Sequence, residues 1–203
     1  MPILNDLFDL ADKLGIIQSV KSKLLRQPDP AADKLVAVLG ELSKVYGACD
    51  AELLRFLSLS FDPVGRMAEE RAVLLTLEGG QMWARASESR GHCHKIWNIY
   101  ENYLHRWFYD VLASNEAAQM EALFRGLSYA DSQMDMALHE LTNWLTKEAQ
   151  ETLDLVDAGR HDEANQRIKA ARKQVLPTRQ SISKAMSGLV QLQGEFIVAS
   201  GTV

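Results

Sequence analysis

The residues best equipped for chemistry cluster in the middle of the chain. His92-Cys93-His94 puts three metal-ligand types in a row. On a helix, however, His92 and His94 stand about 200° apart and cannot share one ion. His94, Asn98, Glu101 and His105 do fall along one helical face. That face reads as a polar surface with a Glu101–His105 pair at i, i+4 rather than as a metal centre. Glu88 and Glu101 each precede a histidine by four residues, not by the three that a di-metal carboxylate bundle uses. Phosphate-binding glycine loops, HExxH, the calcium loop and GxSxG are all absent from the sequence. No catalytic residue, metal or cofactor is therefore assigned, and the expected function is non-enzymatic.

One other spacing has catalytic meaning. Arg85 and His92 enclose six residues, which resembles the arginine–histidine spacing of the all-helical HEPN ribonucleases. That resemblance implies RNA cleavage, with His92 as the essential residue. It is carried by two residues, and twelve arginines and five histidines produce about one such spacing by chance.

The aromatic residues give a stronger signal. Trp97, Tyr100, Tyr103, Trp107, Phe108 and Tyr109 lie within thirteen residues. Tyr100, Tyr103 and Trp107 share a helical face with Ile96 and Val111, so that stripe is expected in the core. Trp97, Phe108 and Tyr109 point elsewhere, which makes the helix apolar around much of its girth. Such a helix is either central or part of an interface, and Tyr and Trp are enriched at binding hot spots. The candidate ligand or partner surface is therefore Arg90, His94, Trp97, Tyr100, Tyr103, Arg106, Trp107 and Tyr109. Within it, Arg90, His94 and Arg106 would orient a polar group. A small-molecule or metal-binding sensor bundle using 90–109 is the alternative reading.

Charge is uneven along the chain. Residues 164–194 hold Arg167, Lys169, Arg172, Lys173, Arg179 and Lys184 and no acid, so the rest carries −11 against a net −5. A basic amphipathic helix suits an anionic membrane surface, here through Arg167, Lys169, Arg172 and Lys173. An acidic neighbour offers a plainer role. Folding back about Gly159 would bring Glu151 near Arg167, Glu148 near Lys169 and Glu140 near Arg179. The acidic total gives no reason to expect nucleic acid.

These residues must be positioned by helices. Apolar side chains recur at three- and four-residue steps almost from end to end, and no period-two alternation competes. The spacing predicts an all-α fold: an elongated antiparallel bundle of five or six long helices in a single domain, 1–203. The expected helices are about 3–26, 30–59, 63–89, 92–113, 115–158 and 162–200. Leu7, Leu10, Leu14, Ile17, Val20 and Leu24 form the first stripe. Leu35, Leu39, Leu42, Tyr46, Cys49, Leu53 and Phe56 form the second. The fifth is the clearest, with Met120, Phe124, Leu127, Met134, Leu138, Leu141 and Leu145.

Punctuation supplies the boundaries. Asp29-Pro30 and Asp62-Pro63 read as cap-then-proline starts. Ser114 reads as a cap, Gly79-Gly80 as a kink or close crossing, Gly159 as a helix stop and Pro177 as an internal kink. Whether 64–113 is one helix or two stays open.

The 203 residues, 47% hydrophobic and 24% charged, suit one globular core. Cys49 and Cys93 form no disulfide framework, and neither a signal peptide nor an apolar transmembrane run is visible. A cytoplasmic protein with a protein partner, or one that self-associates, is expected. Finally, Asp157-Ala-Gly-Arg-His-Asp-Glu-Ala164, with Val175-Leu-Pro177 and Leu189-Val-Gln-Leu-Gln193, resembles the last turn and helix of four-helix-bundle sensor domains of the chemoreceptor type. The likeness covers only the final third. It implies a ligand-sensing or scaffold bundle and supplies no catalytic residues.

Overall fold

The computed structural model describes residues 5–26, 30–61, 65–128 and 132–200, with side chains from residue 15 onward apart from 30, 199 and 200. All regular structure among them is helical. The order is α1 (Asn5–Leu24), α2 (Pro30–Leu57), α3 (Met67–Glu78), α4 (Gly80–Ile99), a π-helical turn (Tyr100–Leu104), α5 (His105–Val111), α6 (Ser114–Leu127), α7 (Gln133–Asp157) and α8 (His161–Ser200). Because α4, the π-turn and α5 are continuous, the described residues make seven helical rods, more than the five or six expected.

The long helix expected over 115–158 is two helices. Leu127 and Met134 are both buried and seven residues apart, so the apolar register runs straight across the break. The interruption is marked instead by capping chemistry. Ser128 is extended, and the Ser132 hydroxyl accepts from the Asp135 N–H to start α7.

The 63–89 and 92–113 boundaries also shift. The break falls at Gly79, whose extended backbone ends α3, while Ser89, Arg90 and Gly91 sit inside α4. Two adjacent glycines lack the side chains that favour helix, whereas a single Gly91 costs only about 1 kcal/mol and is absorbed. Pro30 begins α2, as its fixed φ suits, and the Asp29 and Asp62-Pro63 signals lie outside the described residues. Ser114 is the first helical residue rather than the cap. Ala113 takes the cap position, where its N–H donates to the Glu116 carboxylate at 3.1 Å.

The end of α7 follows the sequence signal closely. Gly159 has φ +72°, a conformation that glycine adopts without penalty. The N–H of Gly159 bonds the Val156 carbonyl and that of Arg160 bonds Leu155, which is the Schellman pattern. α8 then runs through Pro177, which has no N–H to donate to the Lys173 carbonyl one turn back.

The packing centres on α2 and α8. Their register is antiparallel. A Cβ at Gly40 would stand 3.4 Å from Gln193, and one at Gly47 3.7 Å from Met186. Further along, Asp50 meets Arg179, Leu57 meets Arg172 and Phe61 meets Asn165. All seven apolar positions expected to face inward on α2 are buried, as are the seven on α6 and α7. Burying each such leucine or phenylalanine contributes about 1.5–3 kcal/mol before conformational entropy is subtracted. On α1, Ile17, Val20 and Leu24 are buried. Leu7, Leu10 and Leu14 lie outside the described side chains. α4 lies across α2 and α7, held by Arg85–Glu52 on one side and Arg90–Asp135 on the other. Among the described residues no helix is long and apolar enough to cross a membrane.

Candidate functional site

Two regions of the continuous rod formed by α4, the π-turn and α5 could serve function. The first is the aromatic stretch. Its inner face is Ile96, Tyr100, Leu104 and Phe108, with Trp107 beside them. Tyr100 stacks on Phe124 of α6 at 4.6 Å, and Phe108 packs on the same ring at 5.8 Å. Such pairs add about 0.5–1.5 kcal/mol beyond area burial. The expected stripe of Tyr100, Tyr103 and Trp107 is thus corrected at Tyr103, which is 53% exposed.

The π-turn is the cause. The N–H of His105 bonds the Tyr100 carbonyl five residues back, so the turn is wide and a four-residue step keeps the same face. Leu104 and Phe108 take the inner places that α-helical counting gives to other residues. Among the described residues no hydrogen bond or ion pair joins Glu101 to His105. The His105 ring lies instead between Tyr100 and Tyr109.

What remains outside is a set of polar-tipped side chains. Tyr103 lies under the Lys34 ammonium at 4.9 Å from its ring centre. Tyr109 is 44% exposed and donates its hydroxyl to Glu121 at 2.8 Å. That hydrogen bond, with some desolvation, raises the phenol's pKa, while hydrogen bonds from Arg125 and then Tyr109 lower that of Glu121. Arg106 stands between the two tyrosines in sequence, its side chain 92% exposed, with only a long contact to Asp110 at 3.6 Å. Trp97 is half-buried beside Tyr100 with the Arg125 guanidinium at 6.0 Å.

The eight expected site residues do not converge on one pocket. Tyr100 and Trp107 are in the core, and Tyr103, Arg106 and Tyr109 are on the surface. Arg90 reaches α7 and pairs with Asp135 at 2.5 Å. His94 contacts Asn98 at 2.8 Å. Among the described residues no three His, Cys, Asp or Glu side chains gather to hold an ion. Arg85 and His92 likewise bind different carboxylates, Glu52 and Glu41, eleven residues apart on α2. Burial opposes charge on Glu41, but hydrogen bonds from Lys44 and His92 and the field of Lys44 and Lys95 prevail. They hold its carboxyl down at about 2.

The basic segment is largely consumed inside the molecule. Arg167 bridges Glu148, at 2.9 Å, and Glu151 of α7. Arg179 pairs with Asp50 of α2 at 2.8 Å rather than with Glu140. Arg172 donates to the Leu57 carbonyl at 2.6 Å and to that of Leu59, closing the C-terminal end of α2. Lys169, Lys173 and Lys184 remain turned to solvent.

The second region is a cleft of about 270 Å³ between α2, α4 and α7, which sequence reasoning missed. Met82, Leu138 and Leu141 give it an apolar floor, and Ala48, Ala86 and Ser89 leave the space open where larger side chains would fill it. Glu52, Arg85 and Glu88 form its charged rim. The volume lies just under the lower end of ligand pockets, about 300–1,000 Å³. Cys49 is part of its lining, and Cys93 is buried near Cys49. Burial raises both thiols to about 12, with the neighbouring acid groups adding to it, so neither is a nucleophile at neutral pH. The only sequence signal was a run of small residues facing α2 from α4, and nothing in helical periodicity distinguishes a small core residue from a vacancy.

A scan of family models and searches of curated proteins and solved structures found no match to the chain.

Proposed function

We propose that this chain is a non-catalytic helical bundle that docks a protein partner on the edge formed by the π-turn and α5. One observation carries the reading. Tyr103 and Tyr109 are exposed on either side of Arg106, on a helix whose inner face is locked by Tyr100, Phe108 and Phe124. Tyr and Arg are the residue types that dominate binding energy at interfaces, each costing 2 kcal/mol or more when truncated at a hot spot. A rigid base lowers the entropy lost on docking. A second copy of the chain is one such partner. Two buried free thiols, Cys49 and Cys93, suit a reducing cytoplasm.

The test is light scattering after size exclusion across a concentration series, paired with affinity capture, on the wild type and a Tyr103→Ala/Tyr109→Ala double variant. The expected result is an assembly, homomeric or with a captured protein, that the double variant loses while keeping its helical circular-dichroism signal. A wild type that stays monomeric and retains nothing the variant loses would overturn the reading.

A further inference from the structure

We infer that the outer face of α8 docks on an anionic phospholipid surface. This face is separate from the edge formed by the π-turn and α5 and does not depend on a protein docking there. α8 sorts its residues by direction. Ala171, Val175, Ile182 and Leu189 are buried against the bundle. Lys169, Lys173, Leu176, Lys184 and Val190 fall in the opposite sector, about 120° wide, and all five are exposed. The sector continues to Val198, a length of about 40 Å. Leu176, Val190 and Val198 are 52%, 63% and 72% exposed, so apolar side chains stand among and beyond the lysines.

The charge on this face is what the fold leaves unused. Arg167 is held by Glu148 and Glu151 of α7, Arg179 by Asp50 of α2, and Arg172 by the Leu57 and Leu59 carbonyls. Lys169, Lys173 and Lys184 have no hydrogen bond or ion pair among the described residues. The acids of α8 itself stand at its ends. Asp162 and Glu163 are in the first turn, with Glu163 bound by Arg160, and Glu195 is bound by Lys21 at 2.8 Å. Residues 164–194 contain no acid, so three positive charges lie along the face without a local counter-charge. The net charge of −5 does not oppose this, because salt screens charges beyond about 8 Å and an approaching surface responds to the face presented to it.

Lysines alone would suit any polyanion. The exposed Leu176, Val190 and Val198 distinguish a lipid surface, because the headgroup boundary accepts apolar side chains whereas a nucleic-acid backbone rewards charge. Lysine stems are long enough to keep their ammonium groups at the phosphates while Leu176 sits deeper. Each lysine at an anionic leaflet raises partition about fivefold, and three together about a hundredfold, which makes the contact peripheral and reversible.

The experiment is co-sedimentation of the full chain with sucrose-loaded vesicles, either pure phosphatidylcholine or phosphatidylcholine with about 30 mol% phosphatidylserine. Binding to the phosphatidylserine vesicles is expected, while pure phosphatidylcholine leaves the chain in the supernatant. Sodium chloride at about 0.5 M should weaken binding at least tenfold. Lys169→Gln/Lys173→Gln/Lys184→Gln should lower partition about a hundredfold, and Leu176→Ser about fivefold. Both alter exposed positions, and circular dichroism checks that their helix content is kept. Arg66→Gln/Lys95→Gln/Arg106→Gln makes the same change in net charge at exposed positions on other helices and should bind like the wild type. Tyr103→Ala/Tyr109→Ala should also bind vesicles normally, which keeps failure of this inference distinct from failure of the docking reading. The inference is overturned if the chain does not sediment with phosphatidylserine vesicles, if the second triple variant loses as much as the first, or if Leu176→Ser changes nothing. Tighter binding to duplex DNA than to vesicles at equal phosphate concentration would also overturn it and assign the face to nucleic acid.

Discussion

Residues 82–89 and 100–109 lie on one unbroken helical rod, and they solve opposite packing problems. The later stretch is filled. Tyr100, Phe108 and Phe124 interlock, and the helix widens by a π-turn to bring Leu104 and Phe108 inward. The earlier stretch is left unfilled. Ala86 and Ser89 face α2 and α7 across open volume, and charge gathers at the mouth. Aromatic density and open volume thus occupy different turns. Open volume is created by the small side chains Ala86 and Ser89, not by the density of rings further along the rod. Tyr103 and Tyr109 stay exposed on the crowded stretch, whereas the small-residue stretch borders open volume.

The contrast can be broken most sharply at its filled end. Phe124→Ala removes the ring on which both Tyr100 and Phe108 rest, and a loss of about 3–5 kcal/mol in urea unfolding is expected. A loss below about 1 kcal/mol would mean that the aromatic cluster is loosely packed after all. Volume added there should also be resisted. Ala117, buried on the same face of α6 as Phe124, should cost about 1–3 kcal/mol as Ala117→Leu. By contrast, Ala86→Val in the cleft should be neutral or stabilising by up to about 1 kcal/mol. Equal penalties at the two alanines would erase the distinction between the regions.

Smaller effects sharpen the picture. Tyr103→Ala and Tyr109→Ala should each change stability by less than about 0.5 kcal/mol, since truncating exposed side chains rarely does more. A larger loss would make them structural rather than available. Acid gives a further check on α2 and α4, because Glu41 binds His92 and Lys95 of α4. The folded-state carboxyl sits at about 2, below its ordinary 4.5. Its contribution is therefore complete above about 4.5 and drains away as pH falls toward 2. Denaturation midpoints of the wild type and Glu41→Gln should converge across that window. A gap that stays constant would show that the Glu41 carboxylate does not hold the two helices together.

The rods themselves were legible in the sequence, because a helix that buries one face must repeat its apolar residues with its own pitch. Leu35 to Phe56 on α2 and Met120 to Leu145 across α6 and α7 were all identified as core positions and all are buried. The Gly159 stop was equally readable, since a left-handed residue at the end of a helix has few substitutes. Three features were hidden for physical reasons. The break after Leu127 preserved a seven-residue apolar step, so periodicity passed over it, and only Ser132 with Asp135 marked the new start. The π-turn inserted a phase shift that counting by 3.6 cannot anticipate, which moved Tyr103 outward and Phe108 inward. Arg172 and Arg179 found partners on α2 because tertiary register placed α2 beside α8, and no local rule contains that register. Of the candidate site, the exposed Tyr103, Arg106 and Tyr109 were among the residues singled out, and the cleft was not.

The antiparallel seam between α2 and α8 has a consequence for how the polypeptide is made. A ribosome releases α2 more than a hundred residues before α8. Until residues 165–193 emerge, the α2 groove that receives them stays wet, the carbonyls of Leu57 and Leu59 lack Arg172, and Asp50 lacks its counter-charge. Early helices can form during synthesis but cannot settle against one another for good. Completion of the fold should therefore coincide with the arrival of α8.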